Sequence, residues 1–474
     1  MATLVNPHRR RFLGTSGRIA LGSACALSLL GRLELAQAAS PATGYRALVC
    51  VYLFGGNDSG NMVVPMTPSA YGSYAAARPS IALPREQLLP IRPTSGGQGI
   101  EWGLHPALPE LATLFERGDA ALVANLGPLV QPTTAEDFRQ QRVPLPPELF
   151  SHVDQQAHSM SLGSETEARP GWGGRIADRL AERFADQRDR NGLPISISLA
   201  GSNAWQNGSA GGLYTLGSSG VTRLDASLRP GPSARWTTRR NAFDTLLALG
   251  QQDDSVFVRE AASTTRRARD FAESVNAALA AVTLQTAFPT SGLGQSLRTI
   301  ARVIGARQAL GQSRQVFFVG IGGWDMHDNL IADHQNLLRI VSQALAAFQQ
   351  ATGELGVADA VTTFTMTDFG RNLNNNGDGS DHGWGGHSWV LGGGVAGGRF
   401  HGQINEYALG SSLDVGRGRI VPTTSIDQFG AGLAHWMGLA HGDLDAIFPN
   451  LRNFPPGLDG LFRAGAAPAL SATG

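Results

Sequence analysis

Five stretches of this chain place carboxylates or imidazoles where a buried strand ends or a glycine-rich loop turns. Run 48–54 ends in Gly55-Gly56-Asn57-Asp58. Run 316–321 leads to Gly323-Trp324-Asp325-Met326-His327, and run 361–366 leads to Asp368-Phe369-Gly370-Arg371. The polar loop Gly379-Ser380-Asp381-His382-Gly383-Trp384-Gly385-Gly386-His387 and the segment Phe150-Ser151-His152 complete the set. Continuous apolar runs mark strands covered on both faces, the condition of a parallel sheet flanked by helices. In such a sheet the carboxyl ends of the strands share one edge, and ligands bind in the crevice outside it. Carboxylates and imidazoles that meet there suit divalent metal ions and hydrolytic chemistry.

Between these landmarks the pattern alternates. Residues 104–117, with Leu108, Leu111, Leu114 and Phe115, predict a helix, and 120–125 a second buried strand. Residues 195–199 predict a third. The glycine- and serine-rich stretch 201–220 has no period and predicts a surface excursion. Residues 241–281, rich in Ala and carrying Arg and Glu, predict a helical insertion or cap within 235–290. Helices over 297–309 and 334–350 lead into the strands at 315–321 and 361–366. Residues 389–395 predict a last strand and 426–439 a terminal helix. Strand–helix–strand order of this kind is the parallel, doubly wound α/β pattern.

The first residues read as a targeting segment. Arg9-Arg10-Arg11-Phe12-Leu13 fits the twin-arginine pattern, a weakly apolar run follows over 19–30, and Ala36-Gln37-Ala38 offers a small-residue cleavage site. The apolar run is too short and too rich in Gly and Ser to stay as a membrane span. These features predict a signal peptide over 1–38 and export by the twin-arginine translocase to the periplasm or beyond. The folded domain is then 39–462, with 463–474 a disordered tail. Cleavage removes Arg9, Arg10, Arg11, Arg18 and Arg32 but only Glu34 from a balanced chain, so the mature protein is mildly acidic. That gives no footing for nucleic acid or for a basic membrane patch. Cys50 is the one cysteine left, inside an apolar strand, so it reads as packing and no internal disulfide can form.

The chemistry-bearing residues each have a specific reading. Asp58 follows a strand and two glycines that let the backbone approach a ligand, although Gly-Gly-Asn-Asp is also turn chemistry. Asp325 and His327 are two apart, so an extended segment turns both toward one ion. Asp368 ends a strand, and Arg371 follows as a guanidinium for a phosphate or sulfate oxygen. Asp381, His382 and His387 sit among glycines with no packing reason to be there. Ser151 is a nucleophile only if a metal or base activates it; a helix cap is the equal alternative.

Taken in order, Leu53-Phe54-Gly55-Gly56-Asn57-Asp58-Ser59-Gly60-Asn61, Ser151-His152, Gly323-Trp324-Asp325-Met326-His327, Asp368-Phe369-Gly370-Arg371 and Gly379-Ser380-Asp381-His382-Gly383 resemble the exported bacterial family called domain of unknown function 1501. That family sits in the alkaline phosphatase and sulfatase superfamily. The resemblance implies a three-layer α/β/α sandwich on a mainly parallel sheet, and a two-metal site acting on phosphate or sulfate esters. It puts Asp58 on one metal, Asp325 and His327 on the other, and Asp368, His382 and His387 in the completing positions, with Asp381 beside them. Ser151 takes the nucleophile position and Arg371 the clamp. The ions are divalent: zinc, calcium, magnesium or manganese. Phe369 stands where alkaline phosphatases have a histidine, and the Asp325–His327 spacing is short. Either His382 takes the missing role or one metal is lost. The substrate is a small-molecule or polysaccharide ester; the alternative is a non-catalytic exported binding protein that keeps the fold.

Overall fold

Strand β1 (Arg46–Leu53) divides its side chains by parity. Ala47, Val49, Val51 and Leu53 enter one hydrophobic core; Leu48, Cys50 and Tyr52 enter another. A strand sends neighbours to opposite faces, so an unbroken apolar run needs cover on both sides. The computed structural model describes residues 44–163, 169–184, 193–221, 234–455, 458 and 460–466. The predicted signal peptide lies outside them, as do tail residues 467–474. The fold below is that of the unit Tyr45–Ala467.

In chain order the further strands are β2 (Val63–Pro65), β3 (Leu89–Ile91), β4 (Trp102–Leu104), β5 (Ala120–Gly127), β6 (Ser196–Ser198) and β7 (Leu213–Thr215). Then come β8 (Arg314–Ile321), β9 (Val361–Thr367), β10 (Arg371–Asn375), β11 (Ser380–His382), β12 (Gly386–Leu391), β13 (Phe400–His401) and β14 (Thr424–Ser425). The central sheet runs β13-β5-β12-β9-β1-β8-β6-β7, with β14 beside β5. Its pairings are parallel except those of β12, which is antiparallel to both β9 and β5. A parallel neighbour needs a long crossover, usually a helix. Between β9 and β12 the chain has only the β10–β11 hairpin, so it returns antiparallel.

One face of the sheet is covered by helices Pro109–Glu116, Gly292–Gly305 and Leu330–Glu354, which supply Leu111, Phe115, Leu297, Ile300, Leu338 and Leu345 to the first core. The other is covered by Trp172–Arg183, Ile426–Trp436 and His441–Ile447, through Trp172, Ile176, Phe429, Trp436 and Ile447. Burying each such side chain is worth roughly 1.5–3 kcal/mol. The result is the expected three-layer α/β/α sandwich on a mainly parallel sheet. Among the described residues no helix is long and apolar enough to cross a membrane.

Several boundaries differ from the sequence reading. The helix expected from residue 104 starts at Pro109, because proline suits a helix's first turn, and Leu104 instead closes β4. Residues 63–104 form the small sheet β2-β4-β3 and helix Pro68–Ala77. The helical stretch 241–281 is two antiparallel helices, Ala234–Gly250 and Val256–Ala280, joined where Asp253 Oδ1 accepts the Ser255 amide at 2.8 Å. The excursion 201–220 contributes edge strand β7.

Candidate metal centre

Register brings the site together. Leu53 lies opposite Ile321 of β8 and Thr367 of β9, so three adjacent parallel strands end level. Gly55, at φ +121°, leaves β1 so close to the β8 loop that a Cβ would overlap the Asp325 amide. Its own N–H donates to Asp368 Oδ2 at 3.2 Å. The β10–β11 hairpin pairs Arg371 with His382, and Ser380 N–H donates to Met326 O at 3.1 Å, which folds His382 onto the Asp325–His327 loop. Helix His152–Ser161 arrives from the far side of the edge; Gln155 Nε2 donates to Gly383 O at 3.1 Å and holds it there.

The outcome is four donor groups within 4.8 Å of one another: His152, Asp325, His327 and His382. Asp325 Oδ1 lies 3.2 Å from His152 Nε2, 3.0 Å from His327 Nε2 and 3.5 Å from His382 Nε2. The Nε2 atoms of His327 and His382 are 3.0 Å apart. Each outer ring nitrogen is occupied. His152 Nδ1 donates to Asp368 Oδ2 at 2.9 Å, His382 Nδ1 donates to Phe150 O at 2.8 Å, and His327 Nδ1 faces Asp381 Oδ1 at 3.4 Å. A proton on Nδ1 leaves the Nε2 lone pair pointing inward, the arrangement by which metal-binding histidines are oriented. His152 Nε2 is buried and aligned with no hydrogen-bond partner. Lone pairs 3.0 Å apart repel unless a cation or proton lies between them. With metal–nitrogen bonds of about 2.0–2.1 Å, donor–donor edges of about 3.0–3.5 Å are what an ion makes. The residues therefore fit a divalent ion.

The protein's own groups also act on the charge states of these donors. Hydrogen bonding to Asp368, against the opposing effect of burial, and the charges of Asp325 and Asp368 raise the His152 pKa above the ordinary range. Burial lowers that of His382. Burial works against ionising Asp325, but the hydrogen bond and charge of Arg371 prevail and hold its carboxyl below the usual range. Phe369 packs its ring 4.8 Å from those of both His152 and His382, an apolar wall where a further ligand was conceivable.

The structure separates the residues expected at the site. Asp325, His327 and His382 converge. Asp368 and Asp381, expected as ligands, stand one bond further out and orient His152 and His327. Asp58 is fully buried, with Oδ2 2.5 Å from Arg78 Nη2; that ion pair, not the donor group, is its place. His387 is buried with both nitrogens used: Nδ1 accepts from Asn125 N–H at 2.9 Å and Nε2 bonds the Tyr407 hydroxyl at 2.9 Å. Arg371 is no free clamp. Its donors go to Gly55 O, Ser380 O and Oγ, and Asp325 Oδ1, the last at 2.9 Å. Ser151 is the N-cap residue of its helix, and its hydroxyl donates to Asp154 Oδ2 at 2.8 Å. His152, beside it in sequence, carries a converging nitrogen. Its signal was present, since it belongs to one of the five marked segments.

The buried histidines away from the cluster have a measurable consequence. Burial depresses the pKa of His105 and His334 to about 3 each and of His387 to about 4. Unfolded histidine titrates near 6.5. Above that pH both states are neutral and the three contribute no pH dependence. As pH falls through about 6.5 the unfolded chain takes up protons that the fold excludes, so stability drops until the folded values are reached. The slope is up to ~1.4 kcal/mol per pH unit for each histidine. Urea unfolding between pH 7.5 and 4.5 should show this decline; a flat profile contradicts it.

Fold and site thus define an α/β/α protein with an imidazole–carboxylate centre at the carboxyl edge of its sheet. The chain belongs to the family described as protein of unknown function (DUF1501), whose model matches residues 45–446. Among solved structures it is similar to the lipoteichoic acid synthase LtaP from Listeria monocytogenes, at 10% identity and a TM-score of 0.33, over 87% of this chain and 76% of that one. It is also similar to the PsFucS1 sulfatase from Pseudoalteromonas sp., at 9% identity and a TM-score of 0.34, over 94% and 76%. No curated protein matches the chain.

Proposed function

We propose that this chain is an exported, metal-dependent hydrolase of phosphate or sulfate esters, carried out of the cytoplasm by the twin-arginine translocase. One observation carries the reading: three imidazole nitrogens and one carboxylate oxygen converge, with each imidazole oriented from behind. A nitrogen-rich set of this kind suits zinc and similar borderline ions better than calcium or magnesium, which prefer oxygen alone. The described residues gather donors for one ion, because Asp58 and His387 are committed elsewhere. When bound, such an ion supplies Lewis-acid charge against an ester oxygen. The chain's own residues do the rest. Asp368 and Asp381 hold His152 and His327 in position, and Arg371 fixes the Asp325 carboxylate. The side chains of Asp325 and His327 are 44% and 45% exposed, so a small-molecule or polysaccharide ester can reach the donors.

The test is elemental mass spectrometry on full-length protein recovered from the periplasmic fraction, together with hydrolysis of aryl phosphates and aryl sulfates with and without chelator. The expected result is a near-stoichiometric ion and chelator-sensitive turnover. No ion and no turnover ends the reading, and recovery from the cytoplasm alone ends the export part. The Arg371–Asp325 contact favours a second reading, a non-catalytic binding protein, since it neutralises that carboxylate without an ion. Folded protein recovered with no ion and with no ester turned over is its signature.

A further inference from the structure

An ester carrying a phosphoryl or sulfuryl group needs a cation able to meet it, and Arg371, wholly buried and with its donors committed to the protein, cannot. Arg417 can. Its side chain is 64% exposed, and among the described residues its one ion pair is with Asp381, Nη2 to Oδ2 at 3.6 Å. Exposed pairs of that length are weak and exchangeable. The other oxygen of Asp381 faces His327 Nδ1 at 3.4 Å, so the guanidinium stands beside the centre.

The backbone beneath it is unusual. Gly416, Arg417 and Gly418 have φ of +118°, +60° and +72°. Glycine adopts these values freely, but arginine does so at a cost, and such residues persist where the surroundings hold them, often at ligand clamps. Here Asp414 does the holding. Its buried carboxylate accepts the amides of Gly410 at 2.8 Å, Gly416 at 2.7 Å and Gly418 at 2.9 Å. Leu373 N–H donates to Gly418 O at 2.8 Å, which ties the loop to β10. Two residues on, Arg419 Nε donates to His382 O at 3.3 Å and its guanidinium covers the Phe150 ring at 4.1 Å. The loop is thus fastened to two of the segments that build the centre, and within it Arg417 leaves a guanidinium exposed.

We propose that Arg417 is the specificity-determining residue that binds the anionic group of the substrate. This rests on the hydrolase reading above. Arginine's planar fork matches phosphate and sulfate oxygens, and the bonds are charge-assisted. The exchange is of partners only: Arg417 releases Asp381 and takes the ester's oxygens.

The test compares full-length wild type with Arg417→Gly and Arg417→Asn, residues that tolerate the left-handed backbone and so keep the fold. The readouts are KM and kcat on 4-nitrophenyl phosphate and 4-nitrophenyl sulfate, inhibition by inorganic phosphate and sulfate, ion content and thermal midpoint. The expected result is a rise of ~10-fold or more in KM and in the inhibition constants of the anions, the loss of one charge-assisted contact. The change in kcat stays small, ion content is retained, and the midpoint is unchanged or raised as the strain is released. An active wild type whose Arg417→Gly form keeps its KM and its anion inhibition overturns the assignment while leaving the hydrolase reading intact. Lost ion or a lowered midpoint in both variants also overturns it, since the arginine then serves the fold. A wild type with neither ion nor turnover removes both.

Discussion

His152→Ala abolishes the centre: the variant is expected to lose its ion, and hydrolysis with it, while remaining folded. His152 supplies a buried nitrogen that makes no hydrogen bond, and its ring is the only part of its helix within the donor group. The contrast is Asp368→Asn. That change keeps the ring but weakens the bond that orients it, and outer partners of this type are worth roughly 10–100-fold in metal affinity. Competition titration with a chromogenic chelator should therefore rank wild type above Asp368→Asn and that above His152→Ala, with similar far-ultraviolet spectra. Equal ion content in His152→Ala and wild type would show that the donors do not act as one site.

The largest expected effect on stability lies a short distance away. Arg78→Met leaves Asp58 as an unpaired carboxylate at zero exposure, and breaking one partner of a buried pair costs about 3–5 kcal/mol. The pair is incompletely satisfied even when intact: Asp58 Oδ1 and Arg78 Nε have no hydrogen bond. The double variant Asp58→Asn, Arg78→Met removes both charges and should recover much of the loss. Denaturant midpoints measure this, and ion content in the double variant should match wild type. A double variant without ion would return Asp58 to the role the sequence reading gave it.

The place of Asp58 shows where sequence was legible and where it was not. The strands at 48–54 and 316–321 could be read because burial on both faces keeps charge out of the run, and 361–366 because it is uncharged and made mostly of β-branched and aromatic residues. Their endings could be read because parallel strands finish on one edge. Which ending residues converge was not legible, because it depends on partners far along the chain. Nothing near Asp58 in sequence announces Arg78 as its counter-ion, and nothing near His387 announces Tyr407. The loop at 379–387 drew attention through its histidines and glycines. The hairpin split them, sending His382 to the edge and His387 into the core on β12. Asp368 and Asp381 could be found as residue types, but spacing along a chain does not distinguish a ligand from the group that orients it.

The order of strands also governs how the molecule is assembled. β1 is the first strand made and lies in the middle of the sheet, yet both its neighbours, β8 and β9, come from far along the chain: Arg46 pairs with Arg314 and Ala47 with Val361. Until ribosomes have delivered those segments, the opening apolar stretch has nothing native to pair with. Long-range parallel pairing of this sort is slow and leaves sticky edges waiting. The first strand of the sheet therefore waits, unpaired, for most of the chain to be made, and the centre built on its end cannot close before then.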